Sequence, residues 1–315
     1  MRRKAIIFGI KSTSLNNEEK SFFLKYQPWG IILFSRNISN LEQLKNLVNS
    51  IKKLFNDKNY PVLIDQEGGK VSRLDKIIDF SQFSQTYFSN LYLKNKKVFI
   101  NHYNVYIKTV STILNYAGIN INVTPVMDIK YKNTHNIIGS RSFSNKSSII
   151  KKLGSLTVDL YHNNKIATVI KHIPGHGLAT VDSHEKLPYV KKKINFLIKN
   201  DFDAFKSINP FFAMTSHVIY NSIDPENTAT HSSYLITNIV RKNIGFKGIL
   251  ITDDISMRAL KFTLKENANK ALEAGCNLVL HCNGKLSEMI KLAKYIPQVD
   301  DFTQKKTSQF YKFLG

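Results

Sequence analysis

Several apolar runs in this 315-residue sequence end in ionisable residues. Ile64 leads into Asp65-Gln66-Glu67-Gly68-Gly69, Val126-Met127 into Asp128, and Ile170 into Lys171-His172-Ile173-Pro174-Gly175-His176-Gly177. Met214 leads into Thr215-Ser216-His217, and Ile251 into Thr252-Asp253-Asp254. Asp182-Ser183-His184 follows the lysine-histidine run. Residues two apart on an extended segment point the same way, so Asp182 can hold the His184 imidazole. A histidine so paired keeps its proton more readily and can hand it over near neutral pH. Asp253, a dry carboxylate at a strand end, would supply a nucleophile across the cavity. Acid and nucleophile on facing loops suit double displacement at an acetal carbon. By residue type alone this is a hydrolase-like site.

Each residue also has a plainer reading. A lone Asp at a strand end is often a helix N-cap, and for Asp128 and Asp254 that reading weighs at least as much as a functional one. Asp65 has less cover, because Gly68-Gly69 suggests backbone passing close to a ligand. Glu67 fits loop support better than acid catalysis. His172, His176 and His184 are close in sequence, but the intervening glycines and the missing helical His-Glu-x-x-His frame argue against a metal site. No metal and no cofactor are expected.

The elements that must position these residues alternate strand and helix. Apolar, β-branched stretches at 5–10, 30–34, 61–64, 119–126, 166–170, 210–214, 248–251 and 277–281 read as short buried strands, the habit of parallel sheets. Between them Leu41, Leu44, Leu47, Val48, Ile51 and Leu54 form an apolar helical stripe, with Ser39 and Glu42 as its capping box. Helical patterns over 98–116 and 234–243 stop at Gly118 and Gly245. The expectation is an α/β fold, a (β/α)8 TIM-type barrel forming one domain over 1–315, with its chemistry at the C-terminal ends of the strands. A doubly wound open sheet ranks second, because no glycine-rich fingerprint follows the first strand.

Composition narrows the class. Lys and Arg number 45 against 23 Asp and Glu, a net charge of +22. The lysines are spread over helix faces and the aromatics sit at core spacing, which favours a solvated surface over a nucleic-acid stripe. Only two cysteines occur, Cys276 and Cys282, which excludes a disulfide scaffold or zinc ribbon and fits a reducing compartment. The apolar run after Met1-Arg2-Arg3-Lys4 is too short for a signal peptide and reads as a buried first strand. The expected location is cytoplasmic, the expected state a monomer, with neither a membrane nor a specific nucleic acid as partner.

Taken in order, these motifs resemble glycoside hydrolase family 3, in its bacterial single-domain β-N-acetylhexosaminidase branch. The resemblance runs through 30–37, 65–74, 125–128, 139–143, 171–177 with 182–184, 214–218, 245–248 and 252–257. It implies a retaining exo-β-N-acetylglucosaminidase with Asp253 as nucleophile, His184 as acid/base and Asp182 orienting His184. Asp65, Arg73, Arg141, Lys171 and His172 match its sugar-binding positions. The implied substrate is GlcNAc–1,6-anhydro-MurNAc, with or without its peptide, in cell-wall recycling. A histidine acid/base does not repel an anion, so phosphate stays open as an alternative acceptor to water. A β-glucosidase and a catalytically silent sugar-binding barrel are the rival readings. Thr252, Ser140, Lys70 and Asn277 depart from the residues usual in the family (Ser, Asp, Arg and Asp), and Ser140 leaves the local orientation of Arg141 open.

Overall fold

The computed structural model describes residues 3–181 and 187–315. Its strands, in chain order, are β1 (Lys4–Gly9), β2 (Pro28–Leu33), β3 (Val62–Ile64), β4 (Ile121–Asn122), β5 (Ala167–Ile173), β6 (Tyr189–Val190), β7 (Phe212–Thr215), β8 (Ile219–Tyr220), β9 (Asp224–Thr228), β10 (Ile249–Asp254) and β11 (Leu278–His281). Eight of them close a barrel in the order β1-β11-β10-β7-β5-β4-β3-β2. Every barrel pair is parallel. Each of the eight stretches read as strands from the sequence contributes one of them, so the (β/α)8 expectation holds.

The strands are buried because both faces are covered. All residues of β2, β3, β5, β7 and β11 are buried, helices covering one face and barrel-interior side chains the other. In β5 this includes Lys171 and His172, which bring charge and an imidazole into the mouth of an otherwise apolar core. The opposite end is plugged by the helix Asp301–Leu314. From it, Thr307 accepts a hydrogen bond from the Trp29 indole at 2.9 Å, and Phe310 packs edge-on against Phe212. No helix among the described residues is long and apolar enough to cross a membrane.

Three local features differ from the sequence expectations. The helix Leu41–Leu54 is capped by Asn40, not Ser39: the Asn40 side chain accepts from the Gln43 amide. Gln43, not Glu42, accepts from the Ser39 amide at 2.8 Å, one residue ahead of the cap, so the link is not the reciprocal box expected. The helix ending at Gly245 is wound as a π-helix over Leu235–Ile244. A small sheet, β6-β8-β9, forms beside the barrel from segments the hydrophobic pattern had left as connections.

Where β1 meets β11 the backbones need a residue without a side chain. A methyl built at Gly9 would lie 2.1 Å from the Cys282 carbonyl oxygen. Overpacking of this kind costs about 1–3 kcal/mol, so Gly9→Ala should lower the denaturant midpoint with an unchanged m-value. An unchanged midpoint would show that the closure yields freely.

Candidate active site

A cavity of about 260 Å³ opens at the C-terminal ends of the strands. Its walls bring together Asp65, Arg73, Arg141, Lys171, His172 and Asp253, residues drawn from across the chain. Asp182 and His184 lie outside the described residues.

The floor is an ion network. Lys171, 2% exposed, places its ammonium 2.5 Å from Asp65 Oδ1 and 2.5 Å from Glu67 Oε1. Asp65 Oδ2 accepts from Arg73 Nη2 at 3.1 Å. Glu67 takes Arg141 in a two-pronged pair, Nε to Oε2 and Nη2 to Oε1, both 2.8 Å. Burial pushes the Asp65 carboxyl up, but Lys171 and then Arg73 outweigh it and hold it well below the usual carboxylate range. Burial also raises Glu67, and Arg141 followed by Lys171 outweigh it. Burial works against the Arg141 charge, yet Glu67 pushes its pKa further up. The orientation that Ser140 left open is therefore fixed by Glu67, with the Ile137 carbonyl accepting from Nη1 at 3.0 Å.

Asp128 is not a helix cap. It is fully buried, and its Oδ2 lies 2.6 Å from His172 Nδ1. Its Oδ1 accepts the backbone N–H groups of His172 at 3.3 Å and His176 at 2.6 Å. One carboxylate thus orients the His172 ring and anchors the turn that follows β5. Asp254 caps no helix either: it accepts from the Ser256 amide and hydroxyl at 3.0 and 2.8 Å and from the Cys282 amide at 3.3 Å. That folds the chain back after β10 and leaves Asp253 on the cavity wall, its Oδ1 accepting the Asp254 amide at 2.8 Å. His176 also reaches the cavity, and burial, with His172 adding to it, lowers its pKa to about 4.

Of the other departures, Thr252 and Asn277 each accept hydrogen bonds. Thr252 Oγ1 accepts from the Leu280 amide at 2.9 Å. Asn277 Oδ1 accepts from Arg241 and from the Leu250 amide, both 2.8 Å. Sequence reasoning missed the roles of Phe34, Met214 and Met257 as cavity walls and gave no sign of Asp201. Apolar residues at strand ends carry no signal beyond core packing.

A parallel eight-stranded barrel with carboxylates, fixed cations and imidazoles at its C-terminal mouth has the layout of a barrel hydrolase. Residues 4–309 match the family described as glycosyl hydrolase family 3 N terminal domain, and the chain belongs to that family. A β-hexosaminidase of Haemophilus influenzae is 30% identical over 285 residues, 89% of this chain and 79% of that protein. One from Neisseria meningitidis serogroup C is 31% identical over 288 residues, 89% of this chain and 78% of that protein. The crystal structure of NagZ from Neisseria gonorrhoeae in complex with N-trifluoroacetyl-D-glucosamine superposes with a TM-score of 0.88 at 27% identity, covering 100% of this chain and 90% of that one. By family and relatives it is a glycoside hydrolase of the β-N-acetylhexosaminidase group.

Behind the turn after β5 lies a carboxyl with little support. Asp201 is 1% exposed; its Oδ2 accepts from the Tyr131 hydroxyl at 2.8 Å, while Oδ1 has no hydrogen-bond partner among the described residues. Burial pushes its pKa up to about 7, against the Tyr131 hydrogen bond and with help from the Asp128 charge. A folded-state pKa raised this far gives stability that is present below about pH 4 and lost as pH rises through about 7. Asp201→Asn keeps the acceptor for Tyr131 and removes the ionisation. Its melting point should gain on the wild type by several degrees between pH 5 and pH 8, as a change on the order of 1–3 kcal/mol would give. A difference that does not vary with pH would mean that Asp201 stays ionised throughout.

Proposed function

We propose that this protein is a retaining exo-β-N-acetylglucosaminidase that releases terminal β-linked GlcNAc. The observation that carries this reading is the placement of Asp253 on the wall of a cavity floored by the Asp65–Lys171–Glu67–Arg141 network. Polar groups held in place before substrate arrives match the many hydroxyls of a pyranose without needing to reorganise. The Neisseria gonorrhoeae structure is a complex with an N-acylated glucosamine, which supports an N-acetyl sugar as the ligand class of this protein. Asp65, Arg73, Arg141, Lys171 and His172 bind the sugar, with Asp65 taking two hydroxyl donors as an ionised carboxylate does.

In the first step the Asp253 carboxylate attacks the anomeric carbon. The bond to the leaving oxygen breaks, and that oxygen takes a proton from His184, which Asp182 orients. In the second step His184 removes a proton from water, the new hydroxide oxygen attacks the same carbon, and the Asp253 ester bond breaks. Configuration is retained because the carbon is inverted twice. The chain acts as a monomeric single domain over 1–315 without cofactor, in the cytoplasm. Its physiological substrate is GlcNAc–1,6-anhydro-MurNAc and its peptides, released during peptidoglycan recycling.

Hydrolysis of an aryl β-GlcNAc against the matching aryl β-glucoside, with and without phosphate, tests the reading. The GlcNAc substrate alone should turn over, and Asp253→Ala should lose roughly 10³-fold or more of kcat, as removal of a nucleophile does. Equal turnover of the glucoside, or an Asp253→Ala enzyme at wild-type rate, would sink it; acceleration by phosphate with GlcNAc-1-phosphate as product would make it a phosphorylase.

His184→Ala gives a separate measurement. A good leaving group needs little protonation, so kcat/KM should fall about 10²-fold on a phenyl glycoside and far less on a dinitrophenyl one. Equal losses on both would remove His184 from the acid role.

A further inference from the structure

His217 takes no part in the chemistry above, yet its contacts lead to the nucleophile's strand. It follows β7, is fully buried, and lies between the segment after β9 and the end of β10. Its Nε2 is 3.1 Å from the Asp254 carbonyl oxygen, and its Nδ1 is 2.7 Å from Thr230 Oγ1. Thr230 Oγ1 in turn lies 2.8 Å from Thr215 Oγ1.

The protons in this chain have one consistent arrangement. A carbonyl oxygen only accepts, so Nε2 must carry a hydrogen. Burial lowers the His217 pKa, with Asp253 and Asp254 opposing, so the ring is neutral and Nδ1 holds a lone pair. That lone pair needs a donor, and the Thr230 hydroxyl is in reach. Thr230 Oγ1 also lies 3.1 Å from the Ser216 carbonyl, but its single hydrogen goes to the closer Nδ1, and Thr215 donates to the Thr230 oxygen. The donors therefore all run one way, from Thr215 through Thr230 and His217 to the Asp254 carbonyl.

That carbonyl belongs to the residue after Asp253. The amide between them is already tied to the Asp253 carboxylate, Asp254 N donating to Asp253 Oδ1 at 2.8 Å. We infer that His217 is a positioning residue for the nucleophile: its Nε2–H fixes the peptide group after Asp254, the next one along from the amide that holds the Asp253 carboxylate, and Thr230 fixes the tautomer that supplies that hydrogen. The inference rests on the assignment of Asp253 as nucleophile. The ring makes no hydrogen bond into the sugar cradle of Asp65, Lys171 and His172, so its loss should slow attack on the anomeric carbon without weakening sugar binding.

Trapping the glycosyl-enzyme tests this step alone. The full chain is treated with a 5-fluoro glycosyl fluoride of GlcNAc, the labelled residue is located by peptide mass, and the labelling rate is compared with the Kd for free GlcNAc. In the wild type the label should fall on Asp253; a label elsewhere overturns the nucleophile reading itself. With Asp253 labelled, His217→Ala should label on the order of 10²-fold more slowly, the cost of an ångström-scale misplacement, while the GlcNAc Kd stays unchanged. His217→Gln, which offers an acceptor to Thr230 and a donor to Asp254, should recover most of the rate. Wild-type labelling by His217→Ala overturns the positioning role, as does loss of rate and GlcNAc affinity in the same proportion. Should the alanine form not fold, Thr230→Val decides: slower labelling at unchanged Kd supports the role, and an unchanged rate overturns it.

Discussion

An ammonium group buried at the mouth of a barrel sets the terms for everything around it. Lys171 is 2% exposed, and without partners its charge would be forced off or the strand would not stay buried. Two carboxylates from the turn after β3 meet it, which fixes how the ends of β3 and β5 face each other across the intervening β4. Glu67 then has lone pairs to spare, and Arg141 fills them with a two-pronged contact. Asp65 keeps one oxygen for Arg73. Three cations against two anions leave one excess positive charge in the network. Apolar residues of equal volume could hold such a position at less desolvation cost, so the cluster is a poor device for stability. It makes sense as a fixed polar lattice, already oriented when a ligand enters.

Around that lattice, a second layer deals in hydrogen-bond direction more than in charge. Asp128 divides its oxygens between the His172 ring and the amide of His176, so one buried carboxylate aligns a cavity side chain and the turn behind it. Asp254 does the same for the chain reversal after β10. Burial holds His217 neutral, which lets each of its ring nitrogens have one defined role. A protonated ring would offer two donors and break the one-way order that ends at the Asp254 carbonyl.

The barrel was legible because its signal is local: short apolar β-branched runs recur along the chain, and each became one parallel strand. The residues of the cradle were legible for a related reason, since polar groups that end such runs have only the barrel mouth to occupy. What the sequence hid is set by long-range partners. Asp128 read equally well as a cap because its partners, His172 and His176, are more than forty residues away. The cap at Asn40 was missed by one position because Ser39, Asn40, Glu42 and Gln43 all have capping chemistry, and only backbone angles choose among them. Asp201 gave no signal, since a buried carboxyl and a surface one look alike in sequence.

Four departures from the family pattern show which layer tolerates change. Asn277 in place of an acid still offers one oxygen to Arg241 and to the Leu250 amide, and neither bond needs a full charge. Thr252 in place of Ser keeps the oxygen that accepts the Leu280 amide. Ser140 gives up a carboxylate beside Arg141, but Glu67 already holds that guanidinium with two hydrogen bonds. Lys70 retains its charge on an exposed turn. In each case the lost group was an acceptor with a substitute or a charge that was kept. No such exchange is open to Glu67: removing it leaves the buried Arg141 guanidinium without the carboxylate it pairs with, a loss of several kcal/mol that an amide or hydroxyl does not repair. A surface carrying +22 can therefore drift toward Lys and Asn while the charges at the mouth stay fixed.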